Sequence, residues 1–261
     1  MEQPTLDEAL RSLNRPEELP SDLPLSHLID ARDLGRILAA GQFGTWPCKF
    51  FQEELLYVFY GGVVYRRSTV PTNNASILPI VFLFRPDILE RLERLYPFDT
   101  GAAHKKLYGS PWDDLLAPFQ ERFRVKARND PEAAARMVYY IFRTNEDYIY
   151  NPPHSSCRTL PEPLPVLHDF LSADLTDRRV DQRYRTMEGH AKDPLSWEDL
   201  IWIGYPDSEE ENVRILAQQL PHPPVCFPYK AFPASRPSEA AAHLQYAAQE
   251  AIIRHYMDRR R

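Results

Sequence analysis

Proline outnumbers glycine 25 to 9 along this 261-residue chain. Each proline fixes φ and removes a backbone donor, so it stops a helix interior or a central strand. Prolines cluster at 151–165 and again at 221–237, and both stretches read as loops or broken structure. Glycine is present at about half its usual share. The sequence contains no G-x-G-x-x-G and no G-x-x-x-x-G-K-[ST]. A glycine-rich phosphate loop is therefore excluded, and any nucleotide must be held by another device.

Between these breaks the periodicities assign elements. Leu6 to Leu13 reads as a short amphipathic helix, and Leu25 to Ile29 as a strand. Asp30 stands as an N-cap for Ala31 to Ala40, with Leu34, Ile37 and Leu38 on one face and Gly41 where a C-terminal cap takes positive φ. Leu55 to Arg67 is rich in aromatic and β-branched residues and reads as one bent strand or two strands about Gly61-Gly62. Leu78 to Phe84 reads as a strand buried on both faces. Helices are predicted over Asp87 to Leu95 behind Pro86, over Trp112 to Phe123, and over Pro131 to Arg143 with Asp130 as cap. Arg183 to Ala191, Leu200 to Tyr205 and Val225 to Tyr229 read as strands. A helix follows Asp207 to about Leu220, and a long alanine-rich helix covers Ser238 to Met257. These elements do not alternate as βαβ units, so the predicted class is α+β. One domain over 24–220 is expected, with an N-terminal extension at 1–23 and a helix-rich insert at about 86–175. The segment 221–261 is expected to pack on the same domain.

Composition excludes further classes. The chain is 43% hydrophobic and 26% charged, which rules out wholesale disorder. Its longest apolar run, Ile77 to Phe84, is far short of the roughly 20 residues that span a bilayer. Met1 to Pro20 has neither the basic start nor the apolar stretch of a secretory signal, so a cytoplasmic chain with no membrane contact is expected. Cys48, Cys157 and Cys226 are odd in number and widely spaced, against a disulfide framework or cysteine-rich zinc site. His154, His168, His190 and His222 lack metal-ligand spacing, and no catalytic metal is expected. The net charge of −6 means that a nucleic acid would have to be held by a local basic surface.

Several groups have chemistry to offer, each with a bland reading beside it. His27 lies on the first strand and is either a half-buried strand histidine or a substrate ligand. Along Tyr57-Val58-Phe59-Tyr60 alternation puts Tyr57 and Phe59 on one face and Val58 and Tyr60 on the other, so core and site wall can coexist. Arg178, Arg179, Arg183 and Arg185 form a basic run diluted by Asp174, Asp177 and Asp181. It reads as a solvated loop or as a grip on phosphates, with Tyr184 placed to stack on a base. Glu188 reads as a solvated strand residue or as a catalytic carboxylate. Tyr96-Pro97-Phe98-Asp99-Thr100-Gly101-Ala102 reads as a turn with Asx-type bonding, or as the source of an Asp99–His104 polar pair.

The order of these segments resembles a known family. His27-Leu28-Ile29, Asp33-Leu34, Ile37-Leu38 and Gly41 resemble the opening of DarT-type DNA ADP-ribosyltransferase toxins and their relatives. Leu55 to Tyr60 is similar to that family's second strand motif, and Leu78 to Phe84 falls where it has a hydrophobic strand. Asp181 to Glu188 looks like its arginine-led approach to the catalytic glutamate. The resemblance implies an ADP-ribosyltransferase-like split β-sheet around an NAD cleft, with helical insertions and a C-terminal helix. It implies transfer of ADP-ribose from NAD to a macromolecule by a bacterial toxin or anti-phage effector. On that basis Glu188 and Arg66 are catalytic. His27, Tyr57, Phe59, Tyr60, Tyr65 and Arg67 contact NAD, and Arg178, Arg179, Arg183, Tyr184 and Arg185 hold the acceptor. NAD is the substrate and no metal takes part. DNA or RNA and an antitoxin protein are the implied partners.

The chemistry suits these residue types. Cleavage between ribose C1′ and nicotinamide passes through an oxocarbenium-like transition state, as in glycoside hydrolysis. A carboxylate at the ribose holds the 2′-hydroxyl and meets the developing positive charge. A strand histidine hydrogen-bonds a ribose hydroxyl or the nicotinamide amide, and aromatics stack on the ring and exclude water. An NAD glycohydrolase, an RNA 2′-phosphotransferase-like enzyme and an inactive binding or immunity module of the same fold remain as alternatives.

Overall fold

The structure, a computed structural model, describes residues 3–63, 70–173, 185–231 and 236–258, with side chains to 254 in the last segment. Its strands are β1 (Leu25–Asp30), β2 (Gln42–Phe43), β3 (Trp46–Cys48), β4 (Glu53–Tyr60), β5 (Pro79–Phe84), β6 (Leu92–Tyr96), β7 (Val125–Lys126), β8 (Glu188–Ala191), β9 (Leu195–Ser196), β10 (Leu200–Pro206) and β11 (Val225–Tyr229). Its α-helices are α1 (Leu6–Ser12), α2 (Ala31–Ala40), α3 (Thr100–His104), α4 (Trp112–Leu115), α5 (Phe119–Arg122), α6 (Ala133–Ile141), α7 (Asn145–Tyr150), α8 (Leu164–Ser172), α9 (Glu210–Gln219) and α10 (Pro237–Asp258). The class is α+β with mostly antiparallel strand pairing. Contacts group the chain into two compact units with bounds other than those read from the sequence. Unit one is Met1–Asp22 with Leu89–His190, and unit two is Leu23–Ile88 with Ala191–Arg261.

Unit two is organised by β5, whose six side chains are all buried. β1 pairs with it antiparallel through six residues, from Leu25↔Phe84 to Asp30↔Pro79. β10 pairs antiparallel on the other side and carries β11 in parallel. β4 joins the outer edge of β1 and pairs with β3 in turn, while β2 and β9 form a separate ribbon. α2 ends as its sequence dictates, with Gly41 at φ 68° and its N–H donating to the Leu38 carbonyl at 3.2 Å. Asp30 precedes the helix, but its side chain makes no capping bond and pairs with Arg32 at 2.9 Å instead. α10 packs on β5 and β10 through Ala241, Leu244, Ala248 and Ile252, which recur at helical spacing. Gly204 lets this helix approach: a Cβ there would lie 2.4 Å from the Trp202 ring and 2.5 Å from Leu244.

Unit one is mainly helical. α1 opens with a capping box between Thr5 and Glu8 and buries Leu6, Ala9 and Leu10. Arg11 ties it to Asp130 at 2.7 Å, and Arg136 binds the same carboxylate. β6 pairs antiparallel with β7 and lies beside β8.

Three helix expectations need correction here. Asp87 to Leu95 is not one helix: a 3₁₀ turn at Pro86–Arg91 leads into strand β6. Alternation decides it, because an extended backbone puts Leu92, Arg94 and Tyr96 on one face, all of them buried. The expected helix at Trp112 to Phe123 is two short helices, α4 and α5, because Pro118 between them has no N–H to donate. The third, Pro131 to Arg143, shortens to α6, with Glu132 rather than Asp130 at its N-cap position. The Leu55 to Arg67 strand stops at Tyr60, followed by Gly61 at φ 60°. Tyr65, Arg66 and Arg67 lie outside the described residues. Among the described residues no helix is long and apolar enough to cross a membrane.

Gly204→Ala tests the packing of α10. Overfilling a tight core costs about 1–3 kcal/mol, so the urea midpoint should fall with the slope unchanged. An unchanged midpoint would show that α10 does not press on β10 at this point.

Candidate functional site

In unit two the strands part at His27. β1 and β4 are registered only at Leu25↔Tyr60 and Ser26↔Phe59, although β1 stays on β5 for its whole length. Where the β1–β4 ladder ends, the His27 side chain takes over: Nδ1 lies 2.8 Å from the Tyr57 carbonyl. A carbonyl only accepts, so Nδ1 carries the hydrogen and Nε2 is the acceptor. The imidazole packs edge-on against Phe43, with ring centres 5.9 Å apart. Burial holds its pKa below the ordinary 6.5, partly offset by the bond to Tyr57. The neutral ring is therefore the resting form. Ser26 secures the same fork, its hydroxyl donating to the Gly62 carbonyl at 2.5 Å.

The aromatic strand divides as its alternation requires. Val58 and Tyr60 are buried, and the Tyr60 hydroxyl accepts from the Leu23 N–H at 3.1 Å, so Tyr60 is a core residue. Tyr57 and Phe59 are half-buried on the opposite face. The Tyr57 hydroxyl donates to the Cys48 sulfur at 2.9 Å.

In unit one, Glu188 sits in a buried polar network rather than in solvent. It is 2% exposed and His190 is 0% exposed. Both lie on β8, where a spacing of two puts their side chains on one face. Arg94 on β6 donates from Nε to His190 Nδ1 at 3.0 Å. Nδ1 is thus the acceptor, so Nε2 carries the hydrogen and donates to Glu188 Oε1 at 2.6 Å. The Thr100 hydroxyl donates to the same oxygen, and the Thr100 N–H donates to Oε2 at 3.2 Å. The Tyr96 ring lies 5.3 Å from His190 and its hydroxyl donates to the Gln120 carbonyl at 2.9 Å. Burial keeps the Tyr96 phenol protonated, well above its ordinary pKa.

The distinctive Tyr96 to Ala102 segment makes this arrangement. Asp99 caps α3, its Oδ1 accepting from the Ala102 N–H at 2.6 Å. The Tyr108 hydroxyl donates to the Asp99 carbonyl at 2.8 Å and fixes the turn. Gly101 leaves room for the capping carboxylate, since a Cβ there would lie 3.2 Å from Asp99 Oδ1. The cap puts Thr100 at the first helical position, with N–H and hydroxyl both delivered to Glu188. On the other side, Tyr148 accepts from the Met187 N–H at 3.1 Å and sets the start of β8.

The remaining candidates scatter. Arg178, Arg179, Arg183 and Tyr184 lie outside the described residues. Arg185 is exposed and donates from Nε to the Leu171 carbonyl at 3.2 Å. His168 on α8 is buried beside the ion pair of Arg158 with Asp169. Burial pushes the Cys157 thiol up to about 12, which leaves it un-ionised and a poor nucleophile at neutral pH. Among the described residues no three His, Cys, Asp or Glu side chains stand together as a metal site. Sequence reasoning left out Arg94 and gave Thr100 and His190 no role. The signal available for His190 was its spacing of two from Glu188 on a strand. No family model matches the chain, and no curated protein matches it.

His27 sets a pH dependence whose sign follows from its direction of shift. A folded-state pKa below 6.5 means that the unfolded chain binds the proton more readily. The stability His27 contributes is complete above that value and is lost as pH falls through the folded pKa. Urea melts of wild type and His27→Gln should show the wild-type advantage shrinking from about pH 7.5 to about pH 5. A constant difference would show that the imidazole is not held neutral.

Proposed function

We propose that the protein is an NAD-dependent ADP-ribosyltransferase built on a split β-sheet. The observation that carries the reading is the fork between β1 and β4, with the acceptor Nε2 of a neutral His27 beside it. An acceptor nitrogen suits a ligand that offers hydroxyl or amide hydrogens. The ribose and nicotinamide of NAD offer both. Tyr57 and Phe59 lie on the Ser26 face of the sheet rather than the His27 face, and Tyr60 is engaged in the core, so the reading rests on His27 and not on these aromatics.

Glu188 supplies the carboxylate that the chemistry requires. It accepts only, from an imidazole, a hydroxyl and a backbone N–H, and these bonds favour the ionised form. An ionised carboxylate fixed by dipoles stabilises developing positive charge without reorganising. The proposed acceptor is DNA or RNA, held by the Arg178, Arg179, Arg183 and Arg185 run, and the biological setting proposed is that of a toxin or anti-phage effector.

Nicotinamide release from NAD, measured with and without single-stranded DNA or RNA, tests the reading. Wild type should release nicotinamide. Glu188→Gln should retain NAD binding in calorimetry and lower turnover by about 10²-fold or more. A wild type that neither binds NAD nor releases nicotinamide overturns the proposal.

A further inference from the structure

We propose that Thr100 and His190 are positioning residues that hold Glu188 ionised and in one orientation, and that Arg94 sets the His190 tautomer on which this depends. The inference rests on the reading of Glu188 as the catalytic carboxylate and extends it to three residues that the family resemblance did not mark.

Glu188 is enclosed, and an enclosed carboxylate without donors would take up a proton. Here it has at least three donors from two elements. Thr100 contributes its hydroxyl and N–H from the start of α3, and His190 contributes Nε2–H from β8. The His190 bond exists only in one tautomer. Neutral imidazole carries a single hydrogen, and if it sat on Nδ1, Nε2 would present a lone pair to a carboxylate. Arg94 excludes that state because guanidinium Nε can only donate, so Nδ1 must accept. Arg94 is itself nearly enclosed, which keeps its bond from being traded for water. Among the described residues, the titratable and charged groups around the carboxylate include His190 on β8, Arg94 and Tyr96 on β6, and Glu121 and Arg124 near the Tyr96 phenol.

A polar core that only stabilised the fold would need the same bonds. What separates the two roles is the ionisation of Glu188 and its effect on turnover. Removing one donor to a charged acceptor raises that acceptor's pKa by about one unit or more. Thr100→Val keeps the shape of the side chain and removes the hydroxyl, and Thr100→Ser keeps the hydroxyl.

The test has two readouts. The first is carboxyl ¹³C NMR of protein labelled at glutamate Cδ, with the Glu188 signal assigned from Glu188→Gln. In Thr100→Val and His190→Phe the Glu188 midpoint should rise by about one pH unit, and in Thr100→Ser it should stay at the wild-type value. Imidazole ¹⁵N shifts should show the Nε2–H tautomer of His190 in wild type and a mixture in Arg94→Gln. The second readout is the pH profile of nicotinamide release. The acidic limb of kcat should move up with the midpoint, and KM for NAD should stay within about twofold. An unmoved Glu188 midpoint in folded Thr100→Val overturns the inference, whatever the activity. So does a shifted midpoint with an unmoved kcat limb. A wild type without nicotinamide release overturns the proposed function instead. The NMR arm still decides whether these residues control the carboxylate.

Discussion

A strand whose six side chains are all buried leaves its backbone only one way to be satisfied. β5 must have hydrogen-bonded neighbours on both edges, because water cannot reach its N–H and C=O groups. β1 and β10 supply them over most of its length. The rest of unit two follows from that demand. β1 is committed to β5 from end to end, so its other edge is free to leave β4 after two pairs. His27 sits where the ladder ends and gives the Tyr57 carbonyl a donor that the missing backbone pairing would have given. The side chain that makes the fork tolerable is the one whose second nitrogen is left as an acceptor.

Unit one meets a harder electrostatic problem. Enclosing a carboxylate costs several kcal/mol, and a single hydrogen bond to a charged group returns about 1.5–3 kcal/mol. One bond would not hold Glu188 ionised, whereas three together are of the right size. Two of them come from Thr100, and both depend on the Asp99 cap that turns the chain into α3. The site therefore depends on local turn chemistry 88 residues upstream in the sequence, where Asp99, Thr100 and Gly101 each have a separate job.

Much of the fold was legible because it rests on short-range rules. The α2 helix with its glycine cap, the buried strand β5, the strands β10 and β11 and the long α10 all follow from periodicity and punctuation. β6 was misread because Leu92-Glu93-Arg94-Leu95-Tyr96 has good helix formers, and only its neighbours show which backbone buries the right face. The site was partly legible. His27, Glu188 and the strand aromatics stand out by residue type and place. Arg94 did not, because an arginine in a sequence reads as surface charge until a buried partner is seen. The Asp99-Thr100-Gly101 turn was recognised as a turn, but a turn rule says nothing about where the following hydroxyl points.

The two histidines show how little of this chemistry resides in residue type. His27 and His190 are both neutral imidazoles on strands, with the hydrogen on opposite nitrogens. At His27 a backbone carbonyl takes the Nδ1 hydrogen, so the outer nitrogen accepts and suits a donor such as a hydroxyl or an amide. At His190 an arginine donates to Nδ1, so the outer nitrogen donates and suits a carboxylate. Exchanging the two partners would exchange the two hydrogen-bonding roles without changing either histidine. The proposed reading of one as a ligand for substrate and of the other as support for Glu188 therefore rests on the Tyr57 carbonyl and the Arg94 guanidinium.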